Sequence, residues 1–539
     1  MSEQITHKHA GPAWSGVGDA DTLLDIFVPS CLREPDLPAI IFEDGPVVTR
    51  AALLDCAASL AGYLSERISA GEAIAVMLEN RAEYMIAHLA SAAVRAILVS
   101  VNPSAKAHDT THVLRDSGAV LAIADGSNSE LIEGLRDECP QLREVLTLGD
   151  APEPDGLAHY RSSTGPLDLE HVATQRSDIC HIYYTSGTTG LPKGCMLDHE
   201  WWLRVVDIEL RLNPKEHGER MLSCLPFYYA DPAVMLASCI NSGATLVAMR
   251  RFSVSRFWDV VRAHDVSDMW TIASMPALLL KAVPDPKERD HHVRRAVAVG
   301  VQANIHREIV DRFGFPFLDN YGSTEATINT RMPTHVADEM VGSGSMGVAV
   351  PECEMRILGQ EGHELAIGET GELSVWTPGL FRGYVNRPEE FAEVVKDGWF
   401  HTGDLVSRDE RGFYYFKGRK KDIIRRIGEN VAAAEVEEVI RSHPKVMEVA
   451  VIPVPDDLRG EEVKAYILPL ESESSESLPP EEIIAWCAER LAPFKVPRYL
   501  EYRDTDFPRT ASLRVKKDEL KSLADLVSTA WDREAQNGG

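Results

Sequence analysis

The amino-acid sequence predicts an α/β fold: a large N-terminal body of doubly wound parallel sheets with an antiparallel flank, followed by a small α+β C-terminal domain. Three observations support this prediction. Short apolar runs alternate with helical patterns from residue 47 onward, Gly-punctuated alternating segments follow residue 341, and a basic stretch at 418–426 introduces a last region of mixed helices and strands. Strands that are apolar on both faces and separated by helices are typical of covered parallel sheets.

The elements of the body follow from this alternation in chain order. Helices are predicted at 50–67, 83–95, 110–117 and 254–264, and strands at 73–78, 97–101, 120–124, 244–249, 268–273 and 295–301. A polar stretch at 151–178 interrupts the pattern, which then resumes. We therefore expect one large α/β body.

The flank and the last domain have a different texture. Polar and apolar residues alternate within the Gly-punctuated segments EMRIL, GELSVW and GFYYFKG, which favours antiparallel strands. After the basic stretch, a helix is predicted at 434–442, strands over VMEVAVIPV and VKAYILPL, and a helix at 480–491. The predicted domains are residues 1–420 and 421–539.

Composition and charge exclude several classes of protein. The 539 residues are 44% hydrophobic and 26% charged, close to the globular average, which excludes collagen-like, low-complexity and disordered chains. The net charge of −28 repels phosphate backbones, so we expect no nucleic-acid partner. Because the same negative net charge also repels ATP, a nucleotide substrate requires a local cluster of basic side chains or backbone amides that binds its phosphates.

Cysteine usage and hydropathy predict a cytoplasmic location. The nine cysteines are scattered without a C-x-x-C pair, as expected for reduced core thiols. The first residues are polar, and no apolar run approaches the roughly 18 residues of a membrane span, so no span is expected.

The densest motif is YTSGTTGLPKG at 184–194, directly after an apolar run. Glycines allow backbone N–H groups to wrap an anion, hydroxyls donate to its oxygens, and Lys neutralises its charge. The pattern differs from a Walker A loop, because Pro192 precedes the Lys and Gly194 replaces the magnesium-binding Ser or Thr. A flexible linker is the alternative. The predicted phosphate-binding residues are Thr185, Ser186, Gly187, Thr188, Thr189 and Lys193.

A second glycine-rich motif, GSGSMG at 342–347, matches the dinucleotide-binding fingerprint. That fingerprint requires a strand before it and a helix after it, and neither is predicted here. We interpret the segment as a structural turn.

Three weaker motifs follow. NYGSTEA at 320–326 begins where a predicted strand ends, the position at which open α/β sheets bind ligands. HTGD at 401–404 offers a carboxylate in a tight turn, suited to binding a ribose diol, and GRKKD at 418–422 and GEN at 428–430 lie near the predicted domain junction. Each alone is equally compatible with a turn or a solvated run of charges.

In this order and spacing, the motifs resemble those of the adenylate-forming superfamily, which contains acyl-CoA synthetases, peptide-synthetase adenylation domains and beetle luciferases. The resemblance extends over residues 30–522, and IIRRIGEN with AEVEEVI is most similar to crotonobetaine/carnitine-CoA-ligase-type members. It implies a large domain and a small mobile lid. It also implies two half-reactions: a carboxylic acid and ATP, with Mg²⁺, give acyl-AMP and pyrophosphate, and CoA then displaces AMP.

The resemblance also implies roles for individual residues. The loop motif would bind the triphosphate, Glu325 would approach Mg²⁺, and Thr324 would contact the α-phosphate. Lys421 would be the hinge of the lid. The remaining implied assignments are nucleotide contacts by Gly300, Asn320, Tyr321, Gly322, Ser323, Asp404 and Arg419, an acyl pocket with Tyr228, Tyr229 and Val301, and a pantetheine tunnel with Gly428 and Glu429.

One departure from the family concerns the C-terminal motif P-x-T-x-x-G-K, whose Lys bridges the carboxylate and the α-phosphate during adenylation. The stretch here reads PRTASLRVKK, with Leu513 for Gly and Arg514 for the catalytic Lys. Arg is a broad planar fork and Lys a compact point charge, so we expect impaired adenylation and spared thioesterification, with acyl-AMP supplied by a separate adenylating enzyme. The alternative is that Arg514 still serves, or that Lys516 replaces it.

The acyl pocket and the acceptor leave further alternatives. Tyr228, Tyr229, Trp270 and Met275 suit a largely apolar acyl group, although core packing explains them equally well. Rival functions are an enzyme that loads a carrier protein, a luciferase-like oxygenase, and a non-catalytic binder of acyl-adenylate. Asp231 is the only nearby candidate to anchor an amino group. The resemblance is compatible with a monomer or a homodimer.

Overall fold

The structure is a computed structural model. It describes residues 17–149, 157, 160, 162–163, 165–170, 172, 174–185, 192–272, 274–426, 429–456, 458–470, 477–509, 515–523 and 525–535. The chain divides into two compact units, Met1–Glu354 with Val375–Phe400, and Met355–Ser374 with His401–Gly539. The predicted flank segments EMRIL, GELSVW and GFYYFKG therefore fall largely in the second unit.

The helices are α1 (Leu23–Arg33), α2 (Arg50–Ser65), α3 (Ala82–Ala93), α4 (Ala107–Ser117), α5 (Gly126–Gly134), α6 (His199–Leu212), α7 (Ala230–Ser242), α8 (Val254–Ala263), α9 (Ser274–Lys281), α10 (Ala303–Phe313), α11 (Pro388–Val394), α12 (Ala433–Arg441), α13 (Pro480–Ala488) and α14 (Lys517–Lys521).

The strands are β1 (Pro38–Phe42), β2 (Val47–Thr49), β3 (Ala73–Met77), β4 (Ile97–Ser100), β5 (Leu121–Asp125), β6 (Glu144–Leu148), β7 (Ile179–Thr185), β8 (Lys193–Asp198), β9 (Arg220–Ser223), β10 (Thr245–Ala248), β11 (Asp268–Ile272), β12 (Arg295–Val299), β13 (Phe317–Ser323), β14 (Thr327–Arg331), β15 (Ser345–Ala349), β16 (Glu354–Leu358), β17 (Gly371–Trp376), β18 (Gly383–Tyr384), β19 (Val395–Lys396), β20 (Trp399–Arg408), β21 (Tyr414–Arg419), β22 (Ile423–Arg426), β23 (Glu429–Ala432), β24 (Val446–Asp456), β25 (Gly460–Pro469), β26 (Tyr499–Tyr502) and β27 (Trp531–Asp532).

The first unit is built on mostly parallel sheets. One has the strand order β18-β8-β7-β4-β3-β5-β6, and another runs β15-β14-β13-β12-β11-β9-β10-β1-β2. The pairs β3–β4, β3–β5, β4–β7 and β5–β6 are parallel, as are β11–β12 and β12–β13. All five residues of β3 are buried, which explains the continuous apolar run. The predicted fold class is confirmed.

Local sequence signals set several helix ends. The Thr22 side chain accepts a hydrogen bond from the Asp25 backbone and closes a capping box at the start of α1. Gly118 ends α4 in the left-handed conformation, with φ of 65°. α4 begins at Ala107, three residues before the predicted start at residue 110, and no side chain caps its first turn.

The second unit contains an antiparallel hairpin and a smaller sheet. β20 and β21 pair antiparallel, with Asp404 opposite Arg419. The smaller sheet has the order β23-β22-β25-β26-β27, with β24 also paired to β25, and α12 and α13 pack on it through a buried apolar cluster. The predicted boundary at residue 420 and the hinge at Lys421 stay predictions.

Three further expectations concern the cysteines, the segment at 342–347 and membrane-spanning helices. Eight of the nine cysteines are buried and Cys56 is half-buried, in agreement with core thiols. At 342–347 a turn leads into β15 rather than a helix, as the turn interpretation requires. Within the described part of the chain, no helix is long and apolar enough to cross a membrane.

Candidate active site

The parallel strands β12 and β13 end side by side and place several predicted site residues together. Val299 lies opposite Asn320 in the register, so the residues that follow each strand share one edge of the sheet. Those residues include Gly300 and Val301 after β12, and Tyr321 within the end of β13. This edge is where open α/β sheets bind ligands.

Asp319 fixes the turn after β12. Its carboxylate accepts hydrogen bonds from the backbone N–H of Gly300 at 2.8 Å and of Val301 at 3.2 Å. Gly300 has φ of +80°, which a glycine adopts without strain. Burial raises the pKa of Asp319 to about 7, although these backbone hydrogen bonds oppose the shift. The sequence reasoning missed Asp319, although it directly precedes the NYGSTEA motif.

Two polar atoms on β13 are buried without a hydrogen-bond partner in the described part of the chain, the side-chain oxygen of Asn320 and the hydroxyl of Ser323. A buried acceptor without a donor costs free energy, so both atoms are suited to a ligand. Between them, a Cβ on Gly322 would lie 2.3 Å from the carbonyl oxygen of Thr327. Only glycine fits this position of the NYGSTEA motif.

Thr324 and Glu325 are held by contacts from other elements. The indole N–H of Trp201, in α6, donates to the Thr324 carbonyl at 2.9 Å. The Tyr384 hydroxyl lies 3.2 Å from the Glu325 carboxylate and donates to it. The backbone N–H of Phe381 donates to the Glu325 carbonyl at 2.8 Å. The predicted catalytic pair is thus fixed on three sides.

The predicted phosphate loop connects two antiparallel strands. Thr185 ends β7, Lys193 begins β8, and the two face each other in the register, so the loop is closed at its base. Ser186, Gly187, Thr188 and Thr189 lie outside the described residues. His112 contacts the Pro192 carbonyl at 2.8 Å next to the base of the loop.

Lys193 has an anionic partner that the motifs do not predict. Its ammonium forms an ion pair with Glu390 in the first turn of α11 and lies 5.4 Å from the centre of the Tyr384 ring. Arg387 contacts Glu390 at 3.4 Å and Asp116 at 3.2 Å. No local motif identifies Glu390, because the contact depends on tertiary structure alone.

Two of the predicted acyl pocket residues, Tyr228 and Tyr229, directly precede α7, whereas the third, Val301, follows β12. The rings of Tyr228 and Tyr229 pack edge to face with centroids 4.8 Å apart. Asp231 lies in the first turn of α7, and burial raises its pKa to about 6. No basic side chain in the described ranges forms an ion pair with it. Burial, and to a smaller extent Asp231, raises the pKa of Tyr183.

In the second unit, the predicted ribose-binding pair is formed. Arg419 lies 3.0 Å from the Asp404 carboxylate, and these two residues face each other across β20 and β21. The Thr402 hydroxyl accepts from the Asp404 backbone at 3.0 Å. The ion pair fixes the Asp404 side chain, which is 9% exposed.

The predicted hinge residue has a partner within the same unit. Lys421 lies 3.5 Å from Asp518, and Lys521 lies 3.2 Å from Asp422. Glu429 starts β23 and is exposed. Gly428 lies outside the described residues.

The alternative catalytic lysine is engaged locally. Lys516 forms an ion pair with Glu519 at 2.8 Å, and the side chain is 45% exposed. Its backbone N–H donates to Pro508 at 2.8 Å. Arg514 lies outside the described residues.

Models of two known protein families match this chain. The model of the AMP-binding enzyme family matches residues 27–385, and that of the AMP-binding enzyme C-terminal domain matches residues 435–514. This chain belongs to the AMP-binding enzyme family. The predicted membership of the adenylate-forming acyl-CoA ligases is thereby confirmed.

Similar curated members of the AMP-binding enzyme family include two crotonobetaine/carnitine–CoA ligases. The protein from Salmonella typhi is 29% identical over 517 residues, covering 90% of this chain and 96% of its own length. The one from Citrobacter koseri is 29% identical over 506 residues, covering 90% and 95%.

Solved structures of AMP-binding enzymes share the fold over nearly the whole chain. ATP-bound MatB from Rhodopseudomonas palustris has a TM-score of 0.83 and 26% identity, covering 92% of this chain and 98% of its own. o-Succinylbenzoate CoA synthetase (MenE) from Bacillus subtilis, in complex with the acyl-adenylate intermediate OSB-AMP, has a TM-score of 0.80 and 28% identity, covering 94% and 99%.

Proposed function

We propose that this protein joins a carboxylic acid to CoA through an acyl-AMP intermediate, and that it performs thioesterification far better than adenylation. The observation that carries this proposal is Arg514 at the position of the family's catalytic Lys. Family membership supports the ligase activity, and the substitution supports the imbalance between the two half-reactions.

In adenylation, a carboxylate oxygen of the acid attacks the α-phosphorus of ATP. The bond from the α-phosphorus to the bridging oxygen breaks, and pyrophosphate leaves with the electron pair. Thr324 would contact the α-phosphate, while Thr185 and Lys193 would contact the outgoing phosphates. These donors offset the repulsion between a carboxylate and a polyanion.

The Lys at position 514 in other members stabilises both reacting oxygens, and losing such a donor typically costs about 3–4 kcal/mol, or roughly a hundredfold to a thousandfold in rate. A guanidinium spreads its charge over a plane and does not fit between two closely spaced oxygens as an ammonium does. In thioesterification, the CoA sulfur attacks the acyl carbonyl carbon and AMP leaves. We propose that this step proceeds without residue 514, so that a separate adenylating enzyme supplies the acyl-AMP.

Each of the two units contributes its own proposed contacts to the nucleotide. In the first, the unpartnered Asn320 oxygen suits the amino group of adenine, and Tyr321 offers a ring for stacking. In the second, Asp404 would accept hydrogen bonds from the ribose hydroxyls, with Arg419 alongside. We also propose that residues 421–539 move as a lid about Lys421.

Magnesium fits the residues present. Among the described residues, no group of three or more His, Cys, Asp or Glu side chains is arranged to hold a metal. Mg²⁺ in nucleotide sites commonly uses one or two carboxylates together with phosphate oxygens, so Glu325 alone suffices on the protein side. Mg²⁺ would there neutralise phosphate charge, and the Tyr384 hydroxyl would orient the Glu325 carboxylate.

We propose that the acyl group carries a cation. Asp231 is a half-buried carboxylate without an ion-pair partner in the described ranges. It follows Tyr228 and Tyr229 in the chain and interacts electrostatically with Tyr183. A carboxylate with aromatic rings is suited to an ammonium group. The similar relatives are named for crotonobetaine and carnitine, both of which carry a quaternary ammonium.

The test compares the two half-reactions in the native protein. We expect a panel of synthetic acyl-AMPs with CoA to yield acyl-CoA and AMP, while ATP–pyrophosphate exchange with the same acids stays near background. Robust exchange would refute the impaired adenylation and leave a complete acyl-CoA synthetase. Transfer to a holo carrier protein but not to CoA would instead identify an enzyme that loads a carrier.

A further inference from the structure

The phosphate-loop lysine is neutralised by a carboxylate that is itself firmly placed. Lys193 and Glu390 form an ion pair, with side chains 24% and 38% exposed. Arg387 contacts Glu390 at 3.4 Å and is anchored to Asp116 by a contact of 3.2 Å. The Asp116 carboxylate accepts from the Tyr184 hydroxyl at 2.9 Å, next to the end of β7. Glu390 is thus held at the base of the loop by a chain of contacts.

Lys193 also lies near the aromatic ring of Tyr384. Its ammonium lies 5.4 Å from the centre of the Tyr384 ring, and the hydroxyl of that ring donates to Glu325. Lys193 is thus paired with Glu390, and the neighbouring Tyr384 is hydrogen-bonded to a second carboxylate, Glu325. Mg²⁺ would compensate the charge of Glu325 when a nucleotide is bound, but no group described above compensates Glu390 other than Lys193 and Arg387.

We propose that Glu390 determines the nucleotide preference of this site, by cancelling the charge of Lys193 so that the site favours the single phosphate of AMP or acyl-AMP over the triphosphate of ATP. This inference rests on the proposed function, in which Lys193 contacts the outer phosphates and Thr324 the α-phosphate. Added phosphates must either displace Glu390 from Lys193 or lie beside a carboxylate whose remaining partner, Arg387, is shared with Asp116, and both reduce affinity.

Glu390 and Arg514 both affect the balance between ATP and acyl-AMP, but they lie in different parts of the chain. Arg514 affects the chemical step of adenylation, whereas Glu390 affects binding of the triphosphate in the first unit. Both features disfavour ATP and spare acyl-AMP, so the two together describe a site adapted to receive a preformed adenylate.

The test is a titration of AMP, ADP and ATP, each with Mg²⁺, into the full-length protein by calorimetry. Glu390→Gln removes the charge and keeps the shape. Glu389→Gln is the matched control, because Glu389 is the neighbouring, exposed residue of the same helix turn and forms no ion pair in the described part of the chain. We expect Glu390→Gln to tighten ATP binding about tenfold, ADP binding less, and AMP binding less than about twofold.

The control variant is expected to bind all three nucleotides as the native protein does. The gain for ATP should shrink as KCl is added, because screening weakens a charge effect. Nucleotide binding with an unchanged ratio of ATP to AMP affinity in Glu390→Gln would overturn the inference and leave the proposed function intact. Failure of every variant to bind AMP would overturn both.

Discussion

The carboxylate of Asp319 accepts a hydrogen bond from the backbone N–H of Gly300 at 2.8 Å. A residue within one parallel strand, β13, thereby fixes the turn that follows the neighbouring strand, β12. Val301 donates to the second carboxylate oxygen at 3.2 Å, so the turn is held at two successive amides. Because Gly300 and Val301 are predicted to contact nucleotide and acyl group, Asp319 acts as a positioning residue for the site.

Asp319→Asn should loosen this turn. The Asn amide nitrogen would face a backbone N–H instead of accepting from it, and a lost hydrogen bond to a buried group costs about 1–3 kcal/mol. We expect KM for acyl-AMP to rise more than kcat falls in the thioesterification assay, with a lower melting temperature. Equal KM values for variant and native protein would contradict this role.

The same substitution should change the pH dependence of stability. Burial raises the pKa of Asp319 to about 7, above the value of about 3.9 in an unfolded chain, so the folded state binds this proton more tightly. The resulting stabilisation, at most about 4 kcal/mol, is fully present below about pH 4 and is lost as the pH rises through about 7.

The melting temperature of the native protein relative to Asp319→Asn should therefore fall between pH 5 and pH 8. Differential scanning fluorimetry at four pH values measures this difference, and other titrating groups cancel because both proteins contain them. A difference that stays constant with pH would show that Asp319 keeps an ordinary pKa.

Asp404→Asn should weaken the binding of adenosine nucleotides. The carboxylate is fixed by Arg419 and by the turn at Thr402, and hydrogen bonds to a charged acceptor are worth about 1.5–3 kcal/mol, or roughly tenfold to a hundredfold in affinity. We expect this loss for AMP, with little loss for 2′,3′-dideoxyadenosine monophosphate. Glu410→Gln, an exposed residue in the turn after β20, is the charge-matched control.

The parallel strands could be predicted because a strand buried on both faces requires a continuous run of apolar residues. The strand predicted at 73–78 is β3 at Ala73–Met77, and the one predicted at 268–273 is β11 at Asp268–Ile272. The helix α6 was missed, because Arg204, Asp207 and Glu209 are buried in ion pairs and obscure its apolar face. Their partners lie partly in distant segments, which a local pattern does not reveal.

The candidate site likewise contains residues that the sequence predicts and residues that it does not. Thr185 and Lys193 are predicted from their types and spacing, since phosphate binding needs hydroxyls, glycines and a cation, and Glu325 is assigned through the family resemblance. Glu390 and Tyr384, which hold Lys193 and Glu325, carry no such signature. Tertiary contacts alone identify these two residues.

Arg514→Lys should restore adenylation if that side chain is the only defect. We expect ATP–pyrophosphate exchange to rise roughly a hundredfold, with the rate of thioesterification from acyl-AMP unchanged. Lys516→Ala should change neither half-reaction, because Lys516 forms a local ion pair with Glu519. Loss of residual exchange in Lys516→Ala, but not in Arg514→Ala, would show that Lys516 has taken over the catalytic role.

Asp231→Asn should change the preference for the acyl group. Removing one partner of an ion pair that the bound acyl group buries costs about 3–5 kcal/mol, so we expect kcat/KM for 4-trimethylammoniobutyryl-AMP to fall at least about a hundredfold. The neutral isostere 5,5-dimethylhexanoyl-AMP should be used better by the variant than by the native protein, because an unpaired carboxylate no longer has to be desolvated.

Since burial raises the pKa of Asp231 to about 6, the native protein's kcat/KM for the cationic substrate should also decline as the pH falls through about 6, and the variant's should not. Equal losses for both acyl-AMPs would assign Asp231 a structural role and refute a cationic acyl group.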